Sequence, residues 1–227
     1  MIRLLIIDDH AIVRRGLRQI LADAPHRYLV GEAAHANEGI RKLRSEDWDM
    51  VLLDMNLPGK NGLEALKQIR GEWPDMKVLM LTIEHEEHYG VRALRYGAAG
   101  YLTKNCPPET LLAAIHRIAA GGKYITQSLA EKLAGAVTGP ADRAPHETLT
   151  DREFQIFRLL ASGKTVSQVA SELSLSVKTI STHRGKVLHK LGLRNNAELM
   201  HYHLYQVSAI PGGHTPALKV ADPLAGV

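Results

Sequence analysis

Hydrophobic positions in the first 122 residues follow two alternating patterns. Short, continuous apolar runs predict strands buried on both faces, as in a parallel sheet, and stretches with helical periodicity predict helices that cover the sheet. The predicted strands span residues 4–7, 28–33, 50–53, 78–81 and 100–102. The predicted helices span residues 12–22, 37–45, 63–70, 88–96 and 108–120. Strands that alternate with helices in this way predict a doubly wound, five-stranded α/β domain.

The pattern from Leu149 onward is purely helical. Helices are predicted at residues 151–161, 166–173, 177–191 and 196–206. Ser176 is a typical N-cap for the third of these helices, and Gly192 is a typical terminator. Two short helices joined by a tight turn predict a helix-turn-helix, so we expect a second, all-α domain.

Glycine and proline mark the boundaries between these regions. Gly121 and Gly122 end the first domain, a connecting helix is predicted at residues 126–137, and Pro140 and Pro145 are typical of a linker. We therefore predict four parts, the last expected to be disordered: a first domain (1–122), a linker with a connecting helix (123–147), a helix-turn-helix domain (148–206) and a tail (207–227).

The net charge of +4, from 28 basic and 24 acidic residues, arises in the second domain. Residues 1–122 carry 16 basic and 16 acidic side chains, whereas residues 148–206 carry 8 and 4. A small basic domain is typical of proteins that bind a polyanion. Cys106 is the single cysteine, which excludes an intrachain disulfide. The apolar run at residues 4–7 is too short for a signal peptide or a membrane span, so we expect a cytoplasmic protein without a membrane partner.

Polar side chains follow the predicted strands at their carboxyl ends. Asp8 and Asp9 follow the first strand, Asp54 the third and Thr82 the fourth, while Lys104 lies beyond the fifth. Because ligands of open α/β sheets bind at these ends, we expect the five side chains to converge. Three neighbouring carboxylates repel one another, and a divalent cation with oxygen ligands relieves the repulsion. Mg²⁺ is the expected cofactor, because a carboxylate beside it can attack phosphorus while Mg²⁺ binds the phosphate oxygens.

Residues 1–122 resemble the receiver domain of response regulators, which has a flavodoxin-like fold. The resemblance rests on the motifs IIDDH, LLDMNLPGKNG, MLT and GYLTK. It implies that Asp54 accepts a phosphoryl group from a sensor histidine kinase, and that the protein is not a turnover enzyme. The groups implied to hold Mg²⁺ are Asp9, Asp54, the backbone carbonyl of Asn56 and, through water, Asp8. The residues implied to respond to phosphorylation are the switch pair Thr82 and Tyr101 and the phosphate-binding Lys104.

The switch has a simple electrostatic reason. Phosphorylation adds about −1.5 to −2 charge units, so a nearby hydroxyl and ammonium gain hydrogen bonds by moving toward Asp54. Movement of Thr82 would open space for Tyr101. The less favoured alternative is that Tyr101 is a strand-end aromatic with no switching role. One departure from the receiver pattern is Ile83, where such domains usually have a small residue. We hypothesise that Ile83 slows the entry of water and of small phosphodonors.

The predicted helix at residues 177–191 carries the whole charge excess of the second domain, with four basic residues and no acidic one. Its apolar positions are expected to pack on the other helices: Val177, Ile180, Val187, Leu188 and Leu191. The residues predicted to contact DNA are Lys178, Thr179, Ser181, Thr182, Arg184, Gly185 and Lys186. A charged helix face by itself is more often merely solvated, but the helix-turn-helix context favours the major groove.

Residues 149–206 resemble the LuxR-type DNA-binding domain, through LTDREFQIFRLLASGK and VSQVASELSLSVKTISTHRGKVLHKLGL. A receiver followed by this domain resembles the NarL/FixJ family of response regulators. The resemblance implies a transcription regulator whose recognition helix is occluded by the receiver until phosphorylation. The implied partners are a second copy of the chain, duplex DNA with paired half-sites, a sensor histidine kinase and RNA polymerase. Ser181, Gly185 and Asn196 depart from residues common in relatives, so the preferred DNA sequence does not transfer.

Alternative functions remain at this stage. An aspartyl-phosphate phosphatase usually places nucleophile and acid two residues apart after one strand, whereas Asp8 and Asp9 are adjacent and Asp54 follows another strand. A dinucleotide-binding enzyme is disfavoured because DDHAIVRRG, rather than a glycine-rich loop, follows the first strand. The second domain could bind protein instead of DNA. The last predicted helix, with Leu199 and Leu204, either pairs with its copy or completes the domain core.

Overall fold

The computed structural model describes residues 1–83, 86–138 and 145–207. The strands are β1 (Ile2–Ile7), β2 (Tyr28–Ala33), β3 (Met50–Leu53), β4 (Lys77–Thr82) and β5 (Gly100–Thr103). The helices between and after them are α1 (Ala11–Asp23), α2 (Ala36–Ser45), α3 (Gly62–Glu72), α4 (Glu86–Arg95) and α5 (Pro108–Ala119). The predicted tail from residue 208 onward and the linker centre at 139–144 lie outside the described residues.

The five strands form one parallel sheet in the order β2-β1-β3-β4-β5. This order confirms the predicted doubly wound fold, and the chain reverses its direction of winding between β1 and β3. Every residue of β3 is buried, which explains why its sequence is continuously apolar. The reversal point lies beside the carboxyl ends of β1 and β3, where doubly wound sheets bind their ligands.

The second domain is helical, as predicted. After α6 (Gln127–Thr138) and a 3₁₀ turn (Pro145–Thr148), it contains α7 (Asp151–Ala161), α8 (Val166–Glu172), α9 (Val177–Leu191), α10 (Asn196–Tyr202) and a final π-helical turn (His203–Val207). Ser176 Oγ accepts the Thr179 N–H at 3.0 Å, and Gly192 ends α9 at a φ of 67°. These caps account for the agreement between the predicted and observed bounds of α9.

The hydrophobic core lies on both faces of the sheet, and on one face it continues into the second domain. At the junction, the Tyr89 ring of α4 meets the Phe154 ring of α7 edge-on, with centroids 5.3 Å apart. Leu129 of α6 is fully buried and lies against Gly90 of α4, so the predicted connecting helix packs on the first domain. Among the described residues, no helix combines the length and apolar character that crossing a membrane requires.

Candidate functional site

The register of the parallel sheet places the predicted acidic residues side by side. β1 and β3 pair in register, and the Asp54 N–H donates to the Ile7 carbonyl at 2.9 Å, so Asp8 and Asp54 leave adjacent strands at the same level. Single ligand atoms of Asp8, Asp9, His10 and Asp54 all lie within 4.8 Å of one another. The structure therefore brings together the three predicted carboxylates and adds His10, which the sequence analysis missed.

Lys104 joins the two buried carboxylates of this cluster. Its Nζ lies 2.7 Å from Asp8 Oδ2 and 3.0 Å from Asp54 Oδ2. The Lys104 N–H donates to the Thr82 carbonyl at 2.7 Å, which extends the pairing of β4 with β5 and fixes where the lysine side chain begins. The structure thus brings Asp8, Asp9, Asp54 and Lys104 together, and it joins Thr82 to Lys104 through the backbone.

The environment of Asp54 raises the pKa of its carboxyl. Burial raises the pKa of its carboxyl, the Lys104 ammonium opposes that shift, and the Asp8 carboxylate adds to it. A divalent cation among these oxygens would favour the ionised form of Asp54, which is the nucleophilic form. The perturbed carboxyl at the switch point of the sheet is the expected signature of a functional site.

The segment that follows Asp54 is fixed by short-range contacts. We call residues 55–61 the acceptor loop. Asp54 Oδ1 accepts the Met55 N–H at 2.8 Å, and the Gly62 N–H donates to the Met55 carbonyl at 2.7 Å. A Cβ on Gly62 would lie 2.2 Å from the Asp54 carbonyl oxygen, so this position requires glycine. Asn61 Oδ1 accepts the Glu64 N–H at 2.8 Å and caps α3.

The predicted switch pair is buried. Thr82 and Tyr101 are both 0% exposed, and Tyr101 belongs to the core on the α4 side of the sheet. Ile83, the residue after Thr82, is 70% exposed. Any response that moves Tyr101 to the surface therefore requires displacement of surrounding core residues.

Two further side chains act on the acidic cluster from α1 and its N-terminus. His10 Nδ1 lies 2.9 Å from Asp9 Oδ1, and Arg14 Nη1 donates to the Asp8 carbonyl at 2.7 Å. Arg14 Nε also donates to Glu32 on β2 at 3.1 Å. The sequence signal for His10 was its adjacency to the paired acids, whereas Arg14 carried no signal beyond its place in the first turns of α1.

The predicted DNA-contacting residues lie on α9. Five of them are exposed: Lys178, Ser181, Thr182, Gly185 and Lys186. Thr179 is half-buried and takes part in the Ser176 cap. Arg184 is half-buried and its Nε donates to Asn196 Oδ1 at 2.6 Å. The exposed surface of α9 is basic and carries small residues, and its buried face packs on the other helices. Such a surface has the shape and charge that fit the major groove.

One apolar position of α9 was predicted wrongly. Ile180 and Val187 are fully buried in the domain core, but Val177 is 50% exposed. Val177 is the first residue of α9, next to the Ser176 cap. In α10, Leu199 is fully buried, whereas Leu204, in the turn that follows, is 63% exposed. Of the two apolar residues named for the last predicted helix, Leu199 therefore packs in the domain core and Leu204 is exposed.

Two family models match the chain. Residues 4–116 match the response regulator receiver domain, and residues 147–203 match the bacterial regulatory proteins of the LuxR family. The chain is 35% identical to the response regulator UvrY of Escherichia coli strain K12, over 88% of this chain and 93% of UvrY. It is 36% identical to the response regulator GacA of Pseudomonas viridiflava, over 88% of this chain and 94% of GacA.

The chain is a response regulator of the NarL/FixJ family. A solved structure of RcsB from Salmonella enterica serovar Typhimurium, bound to promoter rprA in the presence of the phosphomimetic BeF₃⁻, is similar to it. The TM-score is 0.61 at 26% identity, over 92% of this chain and 100% of that one. These matches confirm the predicted family, the receiver and LuxR-type domains, and a role in transcription regulation.

The two domains of this response regulator meet at α7, a contact that the sequence analysis missed. Asp151, 4% exposed, is surrounded by three groups of the receiver. Its carboxylate lies 2.6 Å from Lys67 Nζ and 3.3 Å from Arg92 Nη1, and it accepts the Tyr96 hydroxyl at 3.1 Å. Although burial opposes the shift, the hydrogen bonds to Asp151 and Tyr96 raise the pKa of Lys67. We call this group the Asp151 contact.

The predicted occlusion of the recognition helix is not what this structure shows. The receiver contacts α7 through the Asp151 contact, while Lys178, Ser181 and Lys186 on α9 remain exposed. The apolar junction between Tyr89 and Phe154 explains this arrangement, because it seats α7 rather than α9 on the receiver. The α9 side chains predicted to contact DNA are therefore exposed while the domains are docked.

Proposed function

We propose that a sensor histidine kinase phosphorylates Asp54 in an Mg²⁺-dependent reaction, and that this controls dimerisation and sequence-specific binding of duplex DNA. The observation that supports the proposal is the convergence of Asp8, Asp9, Asp54 and Lys104 at the switch point of the sheet. The exposed basic surface of α9 supports the DNA-binding part. The protein acts as a regulator rather than as a turnover enzyme, and it works in the cytoplasm.

The residues at the acidic site fit Mg²⁺. Their carboxylates are hard oxygen donors, which Mg²⁺ prefers, and their separation allows one ion to bind more than one of them. We propose that Asp9, Asp54 and the Asn56 carbonyl bind the ion directly, and Asp8 through water. When bound, Mg²⁺ neutralises charge on the phosphoryl oxygens and orients them.

The chemistry at Asp54 is a phosphoryl transfer. A carboxylate oxygen of Asp54 forms the new bond to phosphorus as the bond from phosphorus to the kinase histidine breaks, and the imidazole leaves. Lys104 is within hydrogen-bonding distance of Asp54 and would donate to a phosphoryl oxygen. The Thr82 hydroxyl supplies a second donor, and its displacement would release Tyr101 from the core.

DNA recognition is proposed to use the exposed surface of α9. Lys178 and Lys186 neutralise phosphates, while Ser181, Thr182 and Gly185 allow close approach to base edges. Thr179 and Arg184 flank this surface. We propose that dimerisation places two such helices on paired half-sites, with the exposed Leu204 near α10 available to the second copy. The receiver is proposed to span residues 1–122 and the DNA-binding domain residues 148–206.

The proposal is tested with full-length protein, a small phosphodonor and Mg²⁺. We expect one phosphoryl group per chain by intact mass, and no labelling when the metal is chelated before the donor is added. Selection of genomic fragments on the labelled protein should then yield a common sequence with two half-sites. If labelled and unlabelled protein both fail to bind duplex DNA in a salt-dependent manner, the result would favour a second domain that binds protein.

Lys178→Ala and Lys186→Ala are each expected to weaken DNA binding on every sequence. Each substitution removes one phosphate contact, so the slope of log affinity against log salt should fall by about 0.9. The measurement is a titration of the selected duplex at several salt concentrations. Lys123→Ala removes an exposed lysine outside the second domain and should leave the slope unchanged. Slopes identical to wild type in both variants would place the DNA surface elsewhere.

Ile83→Ala is expected to speed both labelling by a small phosphodonor and loss of the phosphoryl group. Ile83 is exposed directly after Thr82, so its removal opens access to the acceptor. We expect a change of about threefold in each rate, which corresponds to about 0.6 kcal/mol in activation free energy. Leu29→Ala removes an exposed apolar side chain on β2 and serves as the control. Unchanged rates would show that Ile83 does not limit access.

A further inference from the structure

The first helix of the DNA-binding domain contacts the acceptor loop of the receiver directly. Arg152 Nη2 donates to the Gly59 carbonyl. Gln155 Nε2 donates to Asn56 Oδ1 at 3.4 Å, and Arg152 Nη1 donates to Gln155 Oε1 at 2.8 Å. Two side chains one turn apart on α7 thus form a linked pair that reaches two points on the loop.

The Gln155 part of these contacts is buried, whereas the bond from Arg152 to Gly59 lies at the surface. Gln155 is 4% exposed, and both ends of its amide are used, one toward Arg152 and the other toward Asn56. Burial lowers the pKa of Arg152, while the Glu64 carboxylate at the start of α3 opposes that shift. Because buried polar groups are costly without partners, the pair favours one position of the loop when the domains are docked.

The contacts fall on the central part of the acceptor loop. The receiver fixes the two ends, through the Met55 N–H bond to Asp54 and the Gly62 N–H bond to Met55. Asn56 and Gly59 lie between those ends, and Gly59 is in the left-handed region at a φ of 76°. The α7 pair therefore acts on the central segment, which includes the carbonyl proposed to bind Mg²⁺.

We propose that Arg152 and Gln155 are positioning residues for the Mg²⁺ site, acting across the domain boundary on Asn56. This rests on the proposed function of the acidic site. Groups that orient a metal ligand without touching the metal commonly change metal affinity by about tenfold or more when they are removed. Here those groups belong to the DNA-binding domain, so metal binding and domain docking are coupled.

The coupling is reciprocal by thermodynamic necessity. If docking of α7 strengthens Mg²⁺ binding, Mg²⁺ strengthens docking by the same factor. The unphosphorylated, metal-bound protein is then the state in which the domains are held together most firmly. Opening of the domains would lower the affinity for Mg²⁺ of the site that carries the phosphoryl group. The lifetime of Mg²⁺ at Asp54 would then depend on the position of the second domain.

The test is calorimetric titration of unphosphorylated full-length protein with Mg²⁺ alone. Arg152→Ala is expected to raise the Mg²⁺ dissociation constant about tenfold, and Gln155→Met, which keeps the side-chain volume, by a smaller factor. Arg152→Lys retains a donor for Gly59 and should largely restore affinity. Arg194→Ala removes the same charge from an exposed position of the second domain and should not change affinity.

A second readout separates positioning from general damage. Without Mg²⁺, hydrogen exchange in residues 55–61 should be faster in Arg152→Ala and Gln155→Met than in wild type and Arg194→Ala. In an Asp151→Ala background, which loosens docking, Arg152→Ala should no longer change the dissociation constant.

The outcomes distinguish this inference from the proposed function. If wild type binds Mg²⁺ and both variants match it in affinity and loop exchange, the positioning role is wrong and the proposed function stands. If Arg152→Ala lowers affinity equally in the Asp151→Ala background, its effect does not pass through docking and the inference is again wrong. If wild type binds no Mg²⁺, the proposed metal site and this inference fail together.

Discussion

Asp54→Asn is expected to abolish Mg²⁺-dependent labelling by a phosphodonor. The amide lacks a nucleophilic carboxylate oxygen, and it also removes a proposed oxygen ligand of the metal. Asp8 and Asp9 remain in the variant, so residual labelling at either would appear as a shifted site in peptide mass analysis. The measurement is the fraction of chains that carry a phosphoryl group after incubation with donor and Mg²⁺. The expected loss is complete within detection.

The stability of this variant provides an internal check. Since burial raises the pKa of Asp54 in the folded state, the folding stability associated with this carboxyl is present at low pH and is lost as the pH rises through that raised pKa. Asparagine does not titrate, so Asp54→Asn should melt at or above the wild-type temperature at neutral pH. The advantage should shrink below the ordinary aspartate pKa of about 3.9. If Asp54→Asn is stable but unlabelled, the loss of labelling results from the missing carboxylate and not from unfolding.

Asp47→Asn is the matched control, because Asp47 is exposed and precedes β3 whereas Asp54 follows it. It should be labelled like wild type. Labelling of Asp54→Asn at the wild-type level would refute the assignment of the phosphoacceptor and, with it, the central proposal for this response regulator.

Asp151→Ala is expected to loosen the docking of the two domains strongly. Removing one partner of a buried ion pair leaves the others without compensation, at a cost of about 3–5 kcal/mol. The Lys67 side chain is 47% exposed and can be rehydrated, so we expect the lower end, about 3 kcal/mol. The Arg92 side chain is 14% exposed and keeps its bonds to the Leu149 and His146 carbonyls, which limits the loss further.

Small-angle scattering measures this effect, since separated domains increase the radius of gyration. The second domain itself should stay folded because the Thr150 and Glu153 capping box at the start of α7 does not involve Asp151. Asp75→Ala removes an exposed carboxylate of the receiver and should leave the scattering unchanged. A wild-type scattering profile for Asp151→Ala would show that docking depends on the apolar contact of Tyr89 with Phe154 instead.

Much of the fold was predictable because local patterns and tertiary packing agree. The run at β3 is apolar at every position, and that strand is buried on both faces. The bounds of α9 followed from Ser176 and Gly192, whose local hydrogen bonds and backbone geometry need no distant partner. The prediction for Val177 was wrong because its helical phase is apolar, but as the first residue of α9 it is half exposed, whereas Ile180 in the same turn is buried.

The residues of the acidic site could be predicted from the sequence, but the distances between them could not. Asp8 and Asp54 could be assigned to strand ends from sequence, whereas the position of Lys104 between them depends on the pairing of β4 with β5. Arg14 was missed because a basic residue in the first turns of a helix has no distinguishing pattern. Its role follows only from the distance to the Asp8 carbonyl.

The sequence by itself determined the family, the strand and helix order, the acids and lysine at the strand ends and the basic helix of the second domain. Each of these depends on local periodicity, local caps or a contiguous motif. Only the tertiary structure decided that α7 docks on the receiver, that Asp151 is buried among Lys67, Arg92 and Tyr96, and that the α9 surface stays exposed. Those features join residues more than fifty positions apart, and such pairs become neighbours only when complementary charge and apolar surface meet in the folded chain.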